Sequence, residues 1–360
     1  MVDDPVIEKR GDVKVFIINR YPPFTSIYKW STGLADSLPY DKEIINLIYD
    51  RRGWDNPHSG RDFTSKFRAN PITYIFRSAA FSNAKEYIKG HSDNKKTIVY
   101  YTNQFSGTLG LRDSTEVVSV HDSPYYLGDS STLRRVYMKL LYESLKEMKF
   151  IITNTEYLKG ELFHYGYNGK ITTIHLPFEK TFRKLDASKE ALKNLLGFPP
   201  SKKLVLSVSS DSPRKNLKTV ETVMKILGDE YLLVRVGSEV PGSITFKNVD
   251  DETLNKIYNA CDVLLIPSIY EGFGLPIVEA FATGLPVVAS DIPTIREVSG
   301  GAAILVDPMN ADDIASTVEL AIRESDRYSH LGLERAKEFT FNSFRKRIID
   351  LYDSVLEEQS

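Results

Sequence analysis

Short apolar runs alternate with longer stretches of helical periodicity along most of this 360-residue chain. The alternation is typical of βα units, in which parallel strands are buried between layers of helices. In the first half, apolar runs bounded by turn residues predict strands and a Rossmann-like sheet within residues 1–180. These strands are Val13–Asn19, Ile44–Ile48, Thr97–Tyr101, Glu116–His121, Phe150–Asn154 and Lys170–His175.

The second half repeats the pattern after an irregular stretch that predicts a domain boundary near residue 180. A second Rossmann-like domain is expected over 181–340. Its predicted strands are Leu204–Ser209, Tyr231–Val236, Val263–Ile266, Val287–Ser290 and Ala303–Val306, with helices at 187–196 and near 215–227, 252–260, 275–283, 310–323 and 328–338. Apolar residues recur on one face of a final predicted helix near 341–357.

Composition narrows the class of protein only slightly. The net charge is −2, which gives no overall drive toward nucleic acid, and we expect no nucleic-acid partner. The single cysteine, Cys261, has no internal disulfide partner and lies in an apolar run. The N-terminal residues lack a signal-peptide pattern, and no apolar run is long enough to cross a bilayer. These features predict a soluble, cytoplasmic enzyme or binding protein, with peripheral membrane contact left open.

Residues 270–280 carry the strongest functional signal and read Tyr-Glu-Gly-Phe-Gly-Leu-Pro-Ile-Val-Glu-Ala. They follow a predicted strand and begin a predicted helix. Gly272 and Gly274 let a ligand approach the backbone, and the N–H groups at a helix start favour an anion. Glu271 and Glu279 offer carboxylates to hydroxyl donors. A sugar that carries phosphate meets both demands.

This segment resembles the E-x7-E motif of family 4 of the retaining glycosyltransferases, the glycosyl transferases group 1, which have a GT-B fold of two Rossmann-like domains. The likeness extends to residues 250–254, 258–262 and 284–291. It implies transfer of a hexose from a nucleotide-diphosphate sugar to a hydroxyl of a glycan or lipid-linked acceptor. It also implies that the final helix, within 341–360, returns to the first domain.

The resemblance assigns roles to the residues of this motif. Glu271 would hold sugar hydroxyls, and Glu279 would bind the ribose. Backbone N–H groups of four consecutive residues would meet sugar or phosphate: Gly272, Phe273, Gly274 and Leu275.

Arg214 and Lys215 lie between a predicted strand and the next helix, at the carboxyl edge where α/β sheets bind ligands. Arginine can grip phosphate oxygens with two hydrogen bonds, and lysine acts as a point charge. With Asn216 they resemble the R-K-N signature of the same family. The pair would stabilise a leaving diphosphate without metal, so we expect neither metal nor another cofactor. A solvated surface pair is the alternative.

His121 follows a predicted strand and is itself followed by Asp122. The pair resembles the His-Asp of many hexose-transferring family members, which implies a place for His121 beside the donor sugar. An imidazole there can hydrogen-bond a sugar hydroxyl. The alternative is a histidine that only ends a strand.

Two segments of the first half leave alternatives open. The family usually has a glycine-rich turn after the first strand, whereas residues 21–30 contain no glycine. Either Thr25 and Ser26 replace its donors, or Tyr28 reshapes the site and the loop serves the acceptor. Residues 51–100 combine ten Lys and Arg with four Asp and Glu and several aromatic residues. That mixture suits an anionic membrane surface, and equally a core with solvated charges.

The sequence therefore predicts a retaining glycosyltransferase that binds a nucleotide sugar. Two other functions are compatible with the same fold. One is a catalytically silent sugar-nucleotide-binding or scaffold protein, which the altered loop at 21–30 would permit. The other is a nucleotide-sugar epimerase, for which no additional acid and base groups are evident.

Overall fold

The computed structural model of this protein describes residues 10–20, 26–48, 59–64, 81–92, 95–105, 109–111, 114–125 and 132–358, without the side chains of Ser26, Tyr28, Trp30, Leu133, Arg134 and Tyr137. The chain divides into two compact units. Unit 1 comprises residues 1–175 and 342–360, and unit 2 comprises residues 176–341.

In its described part, unit 1 holds a parallel sheet of seven strands in the order β3-β2-β1-β4-β5-β6-β7. The strands are β1 (Arg10–Asn19), β2 (Tyr40–Ile48), β3 (Arg61–Thr64), β4 (Lys96–Tyr101), β5 (Thr115–Val120), β6 (Phe150–Thr153) and β7 (Lys170–Thr173). The central strands are almost wholly buried, as expected for a sheet with helices on both faces.

The helices of unit 1 are α1 (Ser26–Ser37), α2 (Ser82–Gly90), α3 (Thr132–Leu145), α4 (Glu156–His164) and, from the end of the chain, α12 (Phe341–Glu357). α4 begins at Thr155, whose hydroxyl accepts a hydrogen bond from the Leu158 N–H at 3.2 Å. Tyr352 of α12 is fully buried, with its ring centroid 6.0 Å from Tyr40 and 6.1 Å from Tyr100. The final helix therefore contributes to the core of unit 1.

Unit 2 holds a parallel sheet of six strands, in the order β10-β9-β8-β11-β12-β13. The strands are β8 (Lys203–Ser209), β9 (Tyr231–Gly237), β10 (Ile244–Phe246), β11 (Val263–Ile266), β12 (Val287–Ser290) and β13 (Ile304–Val306). The helices are α5 (Lys189–Leu195), α6 (Leu217–Leu227), α7 (Asp251–Ala260), α8 (Leu275–Thr283), α9 (Pro293–Ser299), α10 (Ala311–Arg323) and α11 (Ser325–Ala336). Apolar clusters on both faces of the sheet fill the interior.

The predicted fold class of two parallel-sheet α/β domains is confirmed. The strands β3 and β10 and the helix α9 were not predicted, and the helices α1 to α4 of unit 1 were given no bounds. The two strands lie at sheet edges, where partial exposure removes the apolar run that identifies a buried strand. Within the described residues, no helix is both long and apolar enough to cross a bilayer.

Candidate functional site

The strand order of unit 2 reverses between β8 and β11, which are neighbours in the sheet although distant in sequence. In open α/β sheets, ligands bind outside the carboxyl ends of the strands at such a switch point. Two loops leave the sheet there. Residues 210–216 follow β8, and residues 267–274 follow β11. These loops carry the candidate residues Arg214, Lys215 and Glu271.

Lys215 and Glu271 form an ion pair between the two loops. Lys215 Nζ lies 2.7 Å from Glu271 Oε1 and 2.8 Å from Oε2, and both side chains are almost buried, with exposed fractions of 11% and 7%. Ser268 donates its hydroxyl to Glu271 Oε1 at 2.8 Å. A carboxylate has about four acceptor positions, so these contacts leave Glu271 Oε2 able to accept from a further donor.

Arg214 lies beside this pair in sequence but makes different contacts. Its guanidinium carbon is 5.7 Å from the centroid of the Tyr270 ring, within the range of a cation–π interaction. Its Nη1 is buried and has no hydrogen-bond partner among the described residues. Because a buried donor without a partner is costly, Nη1 is suited to meet a ligand oxygen.

Asn216 ties the loops of the switch point together, a role that the sequence analysis missed. Its Nδ2 donates to the carbonyl oxygens of Pro267 at 3.1 Å and Pro308 at 2.9 Å, and its Oδ1 accepts from the Thr219 hydroxyl at 2.9 Å. Its backbone adopts a left-handed conformation, with φ of 55°, which asparagine tolerates better than most residues. The amide therefore fixes the two residues before it against the loop that holds Glu271.

The glycine corner leads directly into α8. Gly274 has φ of 93°, a conformation that strains other residues, and no side chain caps the helix start. Phe273 is buried, with its ring centroid 5.9 Å from Phe339, so only its backbone is placed to meet a ligand. Pro276 lies in the first turn, where it lacks an N–H that the helix does not need. The corner thus presents main-chain donors from Gly272 to Leu275.

Glu279, on the same helix, contacts α7. Tyr258 donates its hydroxyl to Glu279 Oε2 at 2.7 Å. Burial of Tyr258, together with the neighbouring carboxylate, raises the pKa of the phenol well above its usual value. The phenol therefore stays protonated and holds Glu279 by a hydrogen bond.

His121 lies at the carboxyl end of β5 in unit 1. Its backbone N–H donates to Gln104 Oε1 at 3.1 Å, and its ring Nε2 lies 2.8 Å from the Thr102 carbonyl oxygen. Because a carbonyl only accepts, Nε2 carries the proton, and Nδ1 is the acceptor. Burial lowers the pKa of the imidazole below its usual value of 6.5, more than Thr102 and Asp122 raise it. The imidazole of His121 is therefore neutral and held in one orientation, in which Nδ1 can accept a hydrogen bond.

Sequence analysis also missed three buried amides at the carboxyl edge of unit 1. Each has a side-chain atom without a hydrogen-bond partner among the described residues: Asn19 Nδ2, Gln104 Nε2 and Asn154 Oδ1. Asn154 Nδ2 donates weakly, at 3.4 Å, to the His121 carbonyl oxygen. All three residues end or closely follow strands, and that position was the signal that could have identified them.

Several predicted features lie partly or wholly outside the described residues. Thr25 is not described, and neither are the side chains of Ser26 and Tyr28, so the role of this loop stays a prediction. Within 51–100, Phe81 is buried and both Phe63 and Tyr87 pack against the core of unit 1. No group of three metal-ligating side chains occurs in the described ranges, and metal independence stays a prediction.

Comparison with known proteins finds similarity to one family over part of the chain. Residues 188–338 match the model of the family described as glycosyl transferases group 1. The chain is 28% identical over 242 residues to O-antigen chain mannosyltransferase B of Escherichia coli, covering 59% of this chain and 63% of that one. Over 119 residues it is 34% identical to the MMP alpha-(1->4)-mannosyltransferase of Mycolicibacterium hassiacum, covering 31% and 29% of the two chains. These matches span less than two thirds of either relative.

Two solved structures share the fold over nearly the whole chain. Sucrose-phosphate synthase from Thermosynechococcus elongatus superposes with a TM-score of 0.77 at 17% identity, covering 97% of this chain and 100% of that one. The Anabaena protein HepE, solved with UDP-glucose, superposes with a TM-score of 0.74 at 13% identity, covering 95% and 99%. At such low identity these neighbours establish the fold alone.

Proposed function

We propose that the protein is a retaining glycosyltransferase, because residues 188–338 match the family described as glycosyl transferases group 1. It would transfer a hexose, with mannose the first choice, from a nucleotide-diphosphate sugar to a hydroxyl of a glycan or lipid-linked acceptor. Mannose is favoured because several of the relatives are named mannosyltransferases. The observation that carries the proposal is the Lys215–Glu271 pair beside the glycine corner.

In this proposal, unit 2 binds the donor. Lys215 and Arg214 face the diphosphate and stabilise the charge that develops as it leaves. Lys215 has three N–H donors, so it can keep a bond to Glu271 and still reach phosphate. Glu271 Oε2 accepts from a sugar hydroxyl. This charge compensation comes from side chains and helix-start N–H groups, and metal is expected to be dispensable.

Glu279 would hold the nucleotide ribose, and Tyr258 would orient its carboxylate. His121 would accept a hydrogen bond from a sugar hydroxyl through Nδ1, with its ring fixed by Thr102.

In the retaining reaction, the bond from the anomeric carbon to the diphosphate breaks, and the acceptor oxygen forms a bond on the same face. The acceptor hydroxyl loses its proton, which the leaving diphosphate can take. Peripheral membrane contact through 51–100 remains part of the prediction.

A donor screen followed by product analysis tests the proposal. GDP-, UDP- and ADP-hexoses are first screened by thermal shift, since a ligand that binds only the folded protein raises its melting temperature. The stabilising donor is then incubated with sugar acceptors, and NMR determines the anomeric configuration of the product. We expect transfer with retention, including in the presence of EDTA.

Three other outcomes would contradict the proposal in different ways. Binding without hydrolysis or transfer to any acceptor would favour the silent binding protein. An isomerised sugar with released nucleotide and no acceptor would favour the epimerase. Activity that is abolished by EDTA and restored by Mg²⁺ would overturn the expected metal independence.

A further inference from the structure

Arg235 of β9 is a fully buried cation at the carboxyl edge of the unit 2 sheet. It lies opposite Ser207 in the β8–β9 register and has no exposed surface. Its Nη1 donates to the Ser207 carbonyl oxygen at 2.9 Å, and its Nη2 donates to the carbonyl and hydroxyl oxygens of Ser209 at 2.5 and 3.0 Å. The guanidinium therefore binds the final residues of β8 from the neighbouring strand.

Arg235 contacts β8 at the point where β8 no longer pairs with β11. Pairing between β8 and β11 ends at Leu206, whereas pairing between β8 and β9 continues to Ser209 and Gly237. Residues 207–209 of β8, which lie just before residues 210–216, therefore pair with β9 and not with β11. Arg235 supplies bonds that the missing β11 partner does not.

Gly237 makes room for the contact. A Cβ atom at this position would lie 2.0 Å from the Ser209 carbonyl oxygen and 2.9 Å from Arg235 Nη2, and φ at Gly237 is 129°. Only glycine fits such a close approach without displacing the strand end. Gly237 allows the close approach of the two strand ends, and Arg235 binds the main chain of Ser209 there.

The charge of Arg235 is unusual for its surroundings. Fully buried arginine is rare unless it is paired, yet no Asp or Glu forms an ion pair with it in the part of the chain that the structure describes. Burial lowers its pKa to about 10, against a smaller opposing effect of Asp211, so the side chain remains charged at neutral pH. Lys215, in contrast, already has its charge balanced by Glu271.

We propose that Arg235 is a positioning residue for the diphosphate site, holding the end of β8 so that Arg214 and Lys215 meet the phosphates. This inference rests on the proposed function. The positive charge of Arg235, which Asp211 offsets only in part, adds to the positive potential at the edge where the diphosphate would lie. Arg235 itself touches main chain and not substrate.

The test uses the full chain with Arg235→Met, Arg235→Lys and the control Arg335→Met. Arg335 is matched because its guanidinium also donates to two main-chain carbonyls in unit 2, those of Val298 and Glu297. Calorimetry measures affinity for the nucleoside diphosphate and monophosphate of the base that stabilises the wild-type protein. The ratio of the two affinities reports on the phosphate loop, whereas a merely structural role would lower both affinities equally.

For Arg235→Met we expect the diphosphate preference to fall about tenfold, because loop position and a nearby charge are lost together. Arg235→Lys keeps the charge but lacks the planar fork whose two Nη groups reach Ser207 and Ser209, so its preference should fall by an intermediate factor. Arg335→Met should lower the melting temperature and leave the preference unchanged.

The inference is overturned if folded Arg235→Met or Arg235→Lys keeps the wild-type ratio within about twofold, a difference of roughly 0.4 kcal/mol. It is also overturned if Arg335→Met lowers the ratio as much. Should Arg235→Met fail to fold, Arg235→Lys decides by itself. A wild-type protein that binds no nucleotide would instead refute the proposed function, so the two failures are distinguishable.

Discussion

The carboxyl edges of the two sheets differ in the chemistry that they present. The edge of unit 2 is charged: it carries Arg214, Lys215 and Arg235, and Lys215 pairs with the buried carboxylate of Glu271. At the edge of unit 1 the buried polar side chains are neutral and include amides around His121, whereas the charged Arg20 and Asp122 are only partly buried. Phosphate binding needs fixed positive charge, whereas hydroxyl binding needs oriented neutral donors and acceptors. The buried side chains of the two edges therefore suit different ligand groups, anions at unit 2 and hydroxyls at unit 1.

The largest effect is expected when a positive charge is removed from the edge of unit 2. Lys215→Ala should lower turnover by about 10²–10³-fold, because a preorganised cation is removed from a developing anion. Steady-state kinetics with the donor found by thermal shift measures it. Lys218→Ala, an exposed position one turn along, is the matched control and should retain wild-type turnover.

A double variant separates chemistry from folding at this position. Lys215→Ala leaves Glu271 as a buried charge without its cation, which costs about 3–5 kcal/mol. Lys215→Ala/Glu271→Gln removes that charge, so it should recover stability in denaturant unfolding but not turnover. Recovery of turnover would show that the single variant failed only by unfolding.

The next largest effect distinguishes the roles of Glu271, in the glycine corner, and Glu279, on α8. Glu271→Gln should mainly lower kcat if its hydrogen bond strengthens as the sugar becomes cationic. Glu279→Gln should mainly weaken nucleotide binding, because ribose contacts are the same before and during transfer. Calorimetry with free nucleoside diphosphate, beside kinetics, distinguishes them. Equal loss of nucleotide affinity in both variants would refute the division of roles.

A smaller effect concerns the neutral edge and pH. The pKa of His121 is lowered in the folded protein. Above pH 6.5 the imidazole is neutral in both the folded and the unfolded chain, so protonation of His121 does not reduce the free energy of unfolding. As pH falls below 6.5, the unfolded chain binds a proton first and stability is lost, by about 1.4 kcal/mol for each pH unit until the folded pKa is reached.

Urea unfolding between pH 7.5 and 5 measures this loss. His121→Gln should flatten the dependence, and His330→Gln, at an exposed position, should not. A wild-type stability that rises as pH falls would contradict the assignment of a neutral histidine.

The smallest expected effect concerns residues 51–100. We predict that this segment binds vesicles containing anionic lipid. The binding should weaken as salt is added, because attraction by basic residues is screened over about 8 Å at physiological ionic strength. Phe63, Phe81 and Tyr87 pack in the core, which reduces the aromatic surface available for it. Absence of co-sedimentation at low salt would assign this segment to folding alone.

Much of the fold was predictable because its signals are local. The strands Val263–Ile266 and Val287–Ser290 and the helix Leu275–Thr283 have the predicted bounds. They are buried apolar runs bounded by glycine or proline. β10 has three residues at a sheet edge and carries no comparable pattern.

The candidate site was predictable residue by residue but not as contacts. Lys215 and Glu271 were each identified from local motifs, whereas their ion pair joins positions 56 residues apart and depends on β8 lying beside β11. Arg235 and Gln104 have no motif around them. Their importance comes from which main-chain atoms they bind, and that follows only from strand order and register.

The central claim, that the charged edge of unit 2 binds the diphosphate and the neutral edge of unit 1 does not, can be tested by one calorimetric comparison. Affinity for the nucleoside diphosphate is measured for the wild type, Arg214→Met and Gln104→Met. We predict about a tenfold or larger loss for Arg214→Met, whose cation would contact phosphate, and little change for Gln104→Met. Equal losses in the two variants, or a larger loss for Gln104→Met, would contradict the account.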